Sequence, residues 1–348
     1  MNKFRQLSPL VLSVDGGGTK TTVWLGDTNS GRILGQATSG SSNMSAVGES
    51  TALQSLSNGI SEAFAQASMP LQSVSVAVLG MAGADRVEEQ SRLSKWMIST
   101  GVADHFSITN DVLPLLFATE ESRGWQDSTW TGSIQRSQIA LICGTGSIAV
   151  ALKNSFDIQS QQIPTSADII RSGGWGYLFS DEGSAFAIGQ AALRAITTCV
   201  DQRGPATELL EAIRIQLAVD DIRQLIPAVY AAPQPKAVIS SLAPIVFATA
   251  HQGDVVARRI LADASKQLAQ LVASVAAQLN APSGISIALS GSVLVENSEY
   301  RDSMLQDVRS GGYEISDVHC IRQPVIGCIR LAAAIRRVRN AASAGSNS

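Results

Sequence analysis

The stretch that decides the fold is VDGGGTKT, Val14–Thr21. The apolar run Leu10–Val14 leads into it and the alternating segment Thr21–Gly26 follows it, which predicts two β-strands joined by a glycine turn. Consecutive glycines let backbone N–H groups approach a ligand closely, so the turn predicts a phosphate site, with Asp15 placed to hold Mg²⁺ through water. The spacings of the two common phosphate motifs are absent, and a plain hairpin turn is the structural alternative.

Two further glycine turns follow predicted strands. Strand Gln138–Cys143 runs into CGTGS, Cys143–Ser147, and strand Ile285–Leu289 runs into SGSV, Ser290–Val293. Each turn alone is a weak signal because hairpins of this composition are common. Three such turns could supply the several contacts that one nucleotide needs. Since each half of the chain opens with a strand and a glycine turn, the sequence predicts two similar α/β domains facing a cleft.

Composition excludes several classes of protein. The chain has 348 residues, 45% of them hydrophobic and 16% charged, which is enough for two domains with a large core. Its net charge of −3 argues against a nucleic-acid partner. The four cysteines form no CxxC pair, and no apolar run has the length of a signal core or membrane span. We therefore expect a soluble, cytoplasmic protein with reduced thiols.

The remaining pattern alternates strands and helices. Further strands are expected at Arg32–Gln36, Val74–Leu79, Phe106–Thr109 and Ile148–Lys153, and helices at Glu49–Ala67, Val87–Thr100, Asp111–Ala118, Asp181–Cys199, Arg258–Leu279 and Gly327–Arg339. The polar stretch Thr119–Arg136 is interpreted as a crossover or surface loop between the halves.

Two polar segments at predicted strand ends are candidates for substrate contacts. TND, Thr109–Asp111, opens a predicted helix, and the carboxylate of Asp111 could accept a proton from a substrate hydroxyl. Capping of the helix is the equally good structural interpretation. The polar turn Gly40–Asn43 follows the third strand, with an ordinary loop as its alternative.

A tryptophan framed by glycines, in GGWGY at Gly173–Tyr177, is poorly placed for a core. Trp175 could instead form the wall of a small-molecule pocket. Asp181 and Glu182 follow in SDEGS, where carboxylates could bind sugar hydroxyls as charge-assisted acceptors. Their structural alternative is capping of the next helix.

Taken together, these motifs resemble one known family. They are DGGGTKT (Asp15–Thr21), SSN (ending at Asn43), GMAG (Gly80–Gly83), TND, CGTGS, GGWG (Gly173–Gly176), SDEGS (Ser180–Ser184) and SGSV, in that order. The chain resembles the N-acetylglucosamine kinase branch of the BadF/BadG/BcrA/BcrD ATPase family from Val11 to about Arg336. The combination is specific, although several single motifs are not.

The resemblance implies two ribonuclease-H-like domains of the actin-like ATPase (sugar kinase/Hsp70) superfamily around a central cleft. The domain limits that it implies are 1–118 plus 325–340 for the first domain, 119–324 for the second, and a disordered tail at 341–348. It implies an ATP-dependent kinase of an amino sugar, with N-acetylglucosamine phosphorylated at carbon 6. Family habit favours a homodimer.

The resemblance also implies a role for each motif residue. ATP would be bound by Asp15, Gly17, Gly18, Thr19, Lys20, Gly144, Thr145, Gly146, Ser147, Gly291 and Ser292. The sugar would be bound by Asn43, Gly83, Asp111, Trp175, Asp181 and Glu182, with Asp111 as the catalytic base. Asp15 would hold Mg²⁺ through water.

One position departs from the family pattern. Animal N-acetylglucosamine kinases have an asparagine after the second phosphate loop, where this chain has Ile148. A lost hydrogen bond there would alter the preference among sugars, so glucosamine, N-acetylglucosamine, N-acetylmuramic acid and glucose all remain candidate substrates.

Two other classes of function stay open from the sequence. An ATPase activator of a dehydratase or reductase occurs in the same family, but it holds an iron–sulfur cluster with cysteine motifs that Cys143 and Cys199 do not match. A non-catalytic sugar sensor is the other class, and the segment before Leu10 is too short for a helix-turn-helix. A coupled assay with ATP and a panel of sugars separates these alternatives.

Overall fold

A computed structural model describes residues 8–84, 86–119, 125, 133–135, 137–158, 164–280 and 284–345. Most of the polar stretch predicted as a crossover loop lies outside these residues. In the described part of the chain, no helix combines the length and the apolar character needed to cross a membrane.

The first part of the chain forms one five-stranded sheet with helices packed on it. Its elements are β1 (Leu10–Gly16), β2 (Thr21–Asp27), β3 (Arg32–Ser39), α1 (Met44–Val47), α2 (Glu49–Gln66), β4 (Val74–Met81), α3 (Val87–Thr100), β5 (Ala103–Thr109) and α4 (Leu113–Leu116). The strand order is β3-β2-β1-β4-β5. Strands β1, β2 and β3 are antiparallel neighbours, whereas β4 runs parallel to β1 and to β5.

The centre of this sheet is fully buried. Every residue of β4 is buried, as expected for a parallel strand with packed elements on both faces. Helix α2 packs on β2 and β3, and its apolar positions Leu56, Ile60 and Phe64 belong to the core. The 3.6-residue spacing of these side chains explains why this segment is a helix.

The second part of the chain forms a second sheet and most of the helices. Its elements are β6 (Ser133–Ile134), β7 (Gln138–Cys143), β8 (Ser147–Leu152), β9 (Phe156–Asp157), β10 (Ile169–Gly173), α5 (Ala185–Val200), α6 (Leu209–Gln216), α7 (Leu225–Tyr230), α8 (Pro235–Ser240), α9 (Ala243–His251), α10 (Val255–Gln278), β11 (Ile285–Ser290), α11 (Ser292–Glu296), α12 (Ser298–Ser310), β12 (Ile315–Cys320) and α13 (Val325–Gly345).

The second sheet repeats the order of the first. Its order is β10-β8-β7-β11-β12, so β7 takes the central place that β1 has in the first sheet, and β11 takes the place of β4. Strands β6 and β9 form a separate two-stranded sheet. The repeated order confirms the predicted fold class of two similar α/β domains.

Contacts between Cα atoms divide the chain into two compact units. One contains Met1–Ala140, Ala151–Ile170 and Ile321–Ser348, and the other contains Leu141–Val150 and Arg171–Cys320. Within the first unit, α13 packs on β1 and β4. The domain limits at residues 118, 324 and 340 stay a prediction.

Several element boundaries differ from the predicted ones. The helix predicted from Asp181 begins at Ala185, because the hydroxyl of Ser184 accepts from the Ala187 N–H and caps it. The helix predicted from Asp111 is the short α4. Helix α13 continues beyond the predicted end at Arg339 to Gly345, so the predicted tail begins inside it, and residues 346–348 lie outside the described part.

Candidate active site

The first glycine turn, Gly16–Lys20, connects β1 to β2. Gly16 pairs with Thr21 in the ladder, and the Gly17 N–H donates to the Lys20 carbonyl at 2.9 Å, which closes the turn. Gly18, Thr19 and Lys20 are exposed. The turn therefore presents backbone amides, a hydroxyl and an ammonium group on the surface of the first unit, a combination that suits an anion.

The glycines of this turn are there for different reasons. None of Gly16, Gly17 and Gly18 has a positive φ, so backbone conformation does not require them. A Cβ on Gly16 would collide with the Ser42 hydroxyl and lie 2.6 Å from the Met81 sulfur, so packing requires Gly16. A Cβ on Gly18 would meet nothing within 4 Å. The space beside Gly18 is thus open for a ligand.

Two carboxylates meet at the same edge of the first sheet. Asp15 lies near the end of β1, and Asp111 follows the end of β5. The pKa of Asp15 is raised to about 7, first by burial and then by the negative charge of Asp111, while Lys20 acts in the opposite direction. A cation bound beside two carboxylates that repel each other would relieve that repulsion.

The donor set fits Mg²⁺ held partly by water. The described residues contain no cluster of three or more His, Cys, Asp or Glu side chains that could cage a metal ion. Mg²⁺ does not need such a cage, since it keeps several waters and takes one or two carboxylates plus phosphate oxygens. The charge of a cation would also relieve the repulsion that raises the Asp15 pKa.

Asn110, at the end of β5, binds the backbone at the start of α4. The buried Asn110 Oδ1 accepts hydrogen bonds from the N–H groups of Val112 at 3.2 Å and Leu113 at 2.8 Å, immediately before α4. The sequence left capping and catalysis as equal interpretations for Asp111. The catalytic role of Asp111 stays a prediction.

The polar turn at Asn43 is tied to the first glycine turn. The Ser41 hydroxyl donates to the Gly17 carbonyl at 3.1 Å, and the Thr21 hydroxyl donates to Ser42 Oγ at 2.8 Å. Asn43 caps α1, because its Oδ1 accepts from two N–H groups, that of Ser45 at 3.0 Å and the next one along. This cap fixes the Asn43 side chain and leaves its amide hydrogens as donors for a ligand.

A buried carboxylate that the sequence analysis missed connects Asn43 to Gly83. Glu89 Oε1 accepts from the Ser45 hydroxyl at 2.8 Å and pairs with Arg86 at 3.1 Å. Its Oε2 lies against Gly83, where an added Cβ would come within 2.6 Å, and Gly83 has a φ of +91°. Ser45, two residues after Asn43, and Gly83 therefore both contact the Glu89 side chain, which links two of the predicted sugar-binding turns.

The second glycine turn, Gly144–Ser147, lies between β7 and β8 and is fastened to the SDEGS loop. The Gly144 carbonyl accepts from the Ala185 N–H at 2.9 Å, and the Ser147 hydroxyl donates to the Glu182 carbonyl at 2.6 Å. The Ser147 N–H donates to Asp181 Oδ1 at 3.3 Å.

The third glycine turn, Ser290–Ser292, meets the second. Gly291 has a φ of +91°, and a Cβ there would collide with the carbonyl of Cys143. A Cβ on Gly144 would lie 4.0 Å from Gly291 Cα. Ser292 is the first residue of α11. Two of the three predicted nucleotide-binding turns thus lie side by side in the second unit.

The loop with Trp175 is exposed and shaped by glycine. Gly173, Gly174 and Gly176 all have positive φ, which explains why glycine is needed there. The Trp175 side chain is 67% exposed, and the Arg171 guanidinium lies 4.2 Å from its ring centroid. This arrangement leaves an aromatic surface accessible, as the predicted pocket wall requires.

Ile148, the residue that differs from the family pattern, packs on this loop. A Cβ on Gly174 would lie 2.6 Å from Ile148 Cδ1, so the isoleucine fills the space beside the Gly174 backbone. The Gly174 N–H donates to the Ser147 carbonyl at 3.0 Å. The second glycine turn and the tryptophan loop are therefore in direct contact.

The two predicted sugar-binding carboxylates of the SDEGS loop have different surroundings. Asp181 is 4% exposed and pairs with Lys236 at 3.1 Å, whereas Glu182 is partly exposed and accepts from the Ser180 hydroxyl at 2.7 Å. Asp181 also has a φ of +70°, which is unusual for a residue other than glycine.

The structure brings the predicted residues together within each unit. Asp15, the first glycine turn and Asp111 share one edge of the first sheet, and the polar turn at Asn43 joins them through Ser41. Sequence reasoning missed Glu89 and Lys236. Glu89 lies inside an ordinary helical pattern and Lys236 in a segment without a clear pattern, so neither carries a local signal for such contacts.

The fold and these turns define the class of protein. The two five-stranded sheets have the same strand order, and each has a glycine turn after its central strand. Sugar kinases of known structure share this fold. A candidate N-acetylglucosamine kinase from Chromobacterium violaceum has this fold, with a TM-score of 0.67, 22% identity, and coverage of 94% of this chain and 99% of that one. A ROK family glucokinase from Streptomyces griseus matches with a TM-score of 0.55 and 15% identity over 94% and 99% of the two chains.

The chain belongs to the BadF/BadG/BcrA/BcrD ATPase family, whose model matches residues 12–332. It is 30% identical over 282 residues to an N-acetyl-D-glucosamine kinase of Dictyostelium discoideum, covering 78% of this chain and 80% of that protein. It is 29% identical over 259 residues to an N-acetylmuramic acid/N-acetylglucosamine kinase of Clostridium acetobutylicum, covering 74% and 76%.

Proposed function

We propose that this protein transfers the γ-phosphoryl group of ATP to a hydroxyl of an amino sugar, with N-acetylglucosamine as substrate and its 6-phosphate as product. Family membership and the two amino-sugar kinases among its relatives support the proposal. The observation that carries it is the meeting of Asp15 and Asp111 beside the first glycine turn. This arrangement combines a cation site, a phosphate turn and a base in one unit.

In this proposal Asp111 accepts the proton of the attacking hydroxyl. Asp111 follows the end of β5, at the same edge of the first sheet as Asp15. Proton transfer to a positioned side chain contributes about 10²–10⁴-fold to a rate. The burial that raises the pKa of the neighbouring Asp15 also strengthens charge interactions at this edge of the sheet.

The glycine turns are proposed to hold ATP. The first turn offers Gly17, Gly18, Thr19 and Lys20, of which the last three are exposed. The second and third turns offer Gly144–Ser147, Gly291 and Ser292, joined by the close approach of Gly144 to Gly291. Asp15 would hold Mg²⁺ through water, and the ion would supply positive charge that offsets the charge of the phosphates.

The sugar contacts are proposed to come from the residues that the family resemblance assigns. Asn43 has amide donors left after capping α1, and Gly83 lies against the carboxylate of Glu89. Trp175 offers an exposed ring, and Glu182 a partly exposed carboxylate. Hydroxyl-rich ligands are matched by such a mixture of an aromatic surface with charge-assisted acceptors.

The test is a coupled assay of ADP release with ATP, MgCl₂ and a panel of N-acetylglucosamine, glucosamine, N-acetylmuramic acid and glucose. We expect turnover with an N-acetylated amino sugar, confirmed by mass spectrometry of the sugar phosphate. Absence of turnover with every sugar would contradict the proposal. Replacing MgCl₂ with EDTA should abolish turnover.

Asp111→Asn tests the assigned base in the same assay. The variant keeps the size of the side chain, so we expect normal folding and a kcat lower by about 10²–10⁴-fold. The KM for ATP should change little. Near-normal turnover of the variant would show that Asp111 is not the base.

We also propose that the enzyme works in the cytoplasm, where ATP is available, and as a homodimer. Sedimentation equilibrium measures the second property directly, and a monomer at micromolar concentration would contradict it.

A further inference from the structure

We propose that Lys236 is a positioning residue for nucleotide binding, and that it acts by holding the carboxylate of Asp181 against the second glycine turn. The inference rests on the proposed function for the identity of the nucleotide. Lys236 belongs to α8 and lies far along the chain from the glycine turns.

The contacts form one chain from the lysine to the turn. Lys236 Nζ lies 3.1 Å from Asp181 Oδ2, and Asp181 Oδ1 accepts from the Ser147 N–H at 3.3 Å. The same carboxylate packs on Gly146, where a Cβ would lie between 2.7 and 2.9 Å from its carbon and both oxygens. The carboxylate of the ion pair therefore packs directly on the backbone of the second glycine turn.

The backbone of Asp181 indicates that its side chain is needed there. Its φ of +70° belongs to the region that favours glycine. An aspartate kept at such a position carries a conformational cost, and glycine would avoid that cost if only the turn mattered. The carboxylate is also 4% exposed, and a buried charge of this kind needs a partner. Lys236 is the cation that pairs with it.

Lys236 is itself held in place. Helix α8 packs on α5, and the approach is so close that a Cβ on Gly189 would collide with the Ile239 carbonyl. The Lys236 ammonium lies 5.3 Å from the ring centroid of Tyr177, which contacts Phe186 of α5 edge-on at 5.0 Å. The packing of α8 thus positions Lys236. Lys236 pairs with Asp181, and the Asp181 carboxylate contacts the second glycine turn.

Loss of the lysine should release the turn. Without its cation, the buried carboxylate would move toward water, and its contact with the Ser147 N–H would weaken. The direction of the turn amides would then no longer be set before the phosphates arrive. Affinity for nucleotide should fall for this reason, even though Lys236 does not contact the nucleotide in this proposal.

The experiment measures binding of a non-hydrolysable ATP analogue with MgCl₂ by calorimetry, without sugar and well below the unfolding temperature. The variants are Lys236→Met, Asp181→Asn and the double variant, with Lys266→Met, on an exposed position of α10, as the matched control. We expect Lys236→Met to weaken binding by about tenfold or more, and Lys236→Arg to restore most of it. The control should bind like the wild type.

The double variant tests whether Lys236 acts through Asp181. If Lys236 acts through Asp181, the double variant should bind no worse than the weaker single variant, because the effects of residues in one network are not additive. Additive losses would indicate a direct contact between Lys236 and phosphate and would overturn the inference. Unchanged affinity of Lys236→Met with only a lower unfolding temperature would overturn it as well, since that is the result of a purely structural role.

The outcome is separable from that of the proposed function. A wild-type protein that binds the ATP analogue but phosphorylates no sugar would contradict the kinase proposal and leave the positioning role of Lys236 to be decided by the variants. A wild-type protein without affinity for the analogue would overturn both.

Discussion

A matched pair of substitutions in the first glycine turn tests whether its glycines serve folding or ligand binding. In Gly16→Ala the new methyl group would meet the Ser42 hydroxyl and lie 2.6 and 2.7 Å from the Met81 sulfur and terminal methyl. Ser42 and Met81 are 2% and 1% exposed, so neither can move into solvent. Overpacking of this kind destabilises a core by about 1–3 kcal/mol.

Gly18→Ala should have the opposite profile. Its backbone φ lies outside the positive region and its Cβ would meet nothing within 4 Å, so the folded state accepts alanine without strain. Because alanine also restricts the unfolded chain, stability should be unchanged or higher by about 0.4–1 kcal/mol. The methyl group would, however, occupy the open space beside the turn, and we expect the KM for ATP to rise by about tenfold or more if a phosphate lies there.

Both variants are measured by urea unfolding and by initial rates at varied ATP. We expect lower stability for Gly16→Ala because of overpacking. For Gly18→Ala we expect native stability and a raised KM for ATP because of lost phosphate binding. An ATP KM unchanged in Gly18→Ala would refute the assignment of this turn to phosphate. Loss of stability in Gly18→Ala would refute the packing argument. Asn29→Ala, at an exposed position between β2 and β3, serves as the control.

Three further predictions follow from the same contacts. Because the pKa of Asp15 is raised, its ionisation destabilises the protein without metal, little below pH 4 and fully above pH 7. In EDTA, Asp15→Asn should therefore raise the free energy of unfolding by on the order of 2–4 kcal/mol at pH 8 but not at pH 4. Urea titrations in which the variant differs from the wild type by the same amount at both pH values would contradict this. Glu89→Ala removes the acceptor for Ser45 and Arg86, and should raise the sugar KM by about tenfold at unchanged ATP KM, whereas equal changes in both constants would argue against a sugar-side role. Ile148→Asn restores a polar side chain beside the tryptophan loop and should change the ratio of kcat/KM between N-acetylglucosamine and glucose by about tenfold; an unchanged ratio would remove this position from the specificity determinants.

The central strands and long helices could be predicted because burial determines their sequence pattern. β4 reads as a continuous apolar run since it lies at the centre of the sheet, and its ends at Val74 and Met81 lie within two residues of the predicted ones. α10 was recognised from its apolar stripe for the same reason, although the structure begins it at Val255, where Asp254 caps it.

The helices between α5 and α10 could not be predicted from the hydrophobic pattern. They include the short helices α6, α7, α8 and α9, several of which have proline near their start and only a few buried positions. A helix of six residues presents fewer than two turns, so a 3.6-residue stripe cannot be distinguished from chance. Tertiary packing, as of α8 on α5, determines these helices more than local sequence does.

The residues of the candidate site also differ in whether the sequence could predict them. Residues at strand ends, such as Asp15 and Asp111, could be named from sequence because their position after an apolar run is visible in the chain. Side chains that act across the fold could not. The pairs Lys236–Asp181 and Ser45–Glu89 are separated by 55 and 44 positions, and only the folded backbone brings them together.

The repetition between the two sheets gives a physical reason for the recurring glycines. β1 and β7 hold the same place in their sheets, and each runs into a glycine turn and then into an adjoining strand. β4 and β11 also hold equivalent places, and the glycine that follows each, Gly83 and Gly291, has the same φ of +91°. The crowding differs, since Gly83 makes room for a carboxylate and Gly291 for the Cys143 carbonyl. The two glycines therefore share a positive φ after strands that hold equivalent places, whereas the groups that crowd them differ, which is the arrangement expected if the strand ends bind the ligand and their surroundings select it.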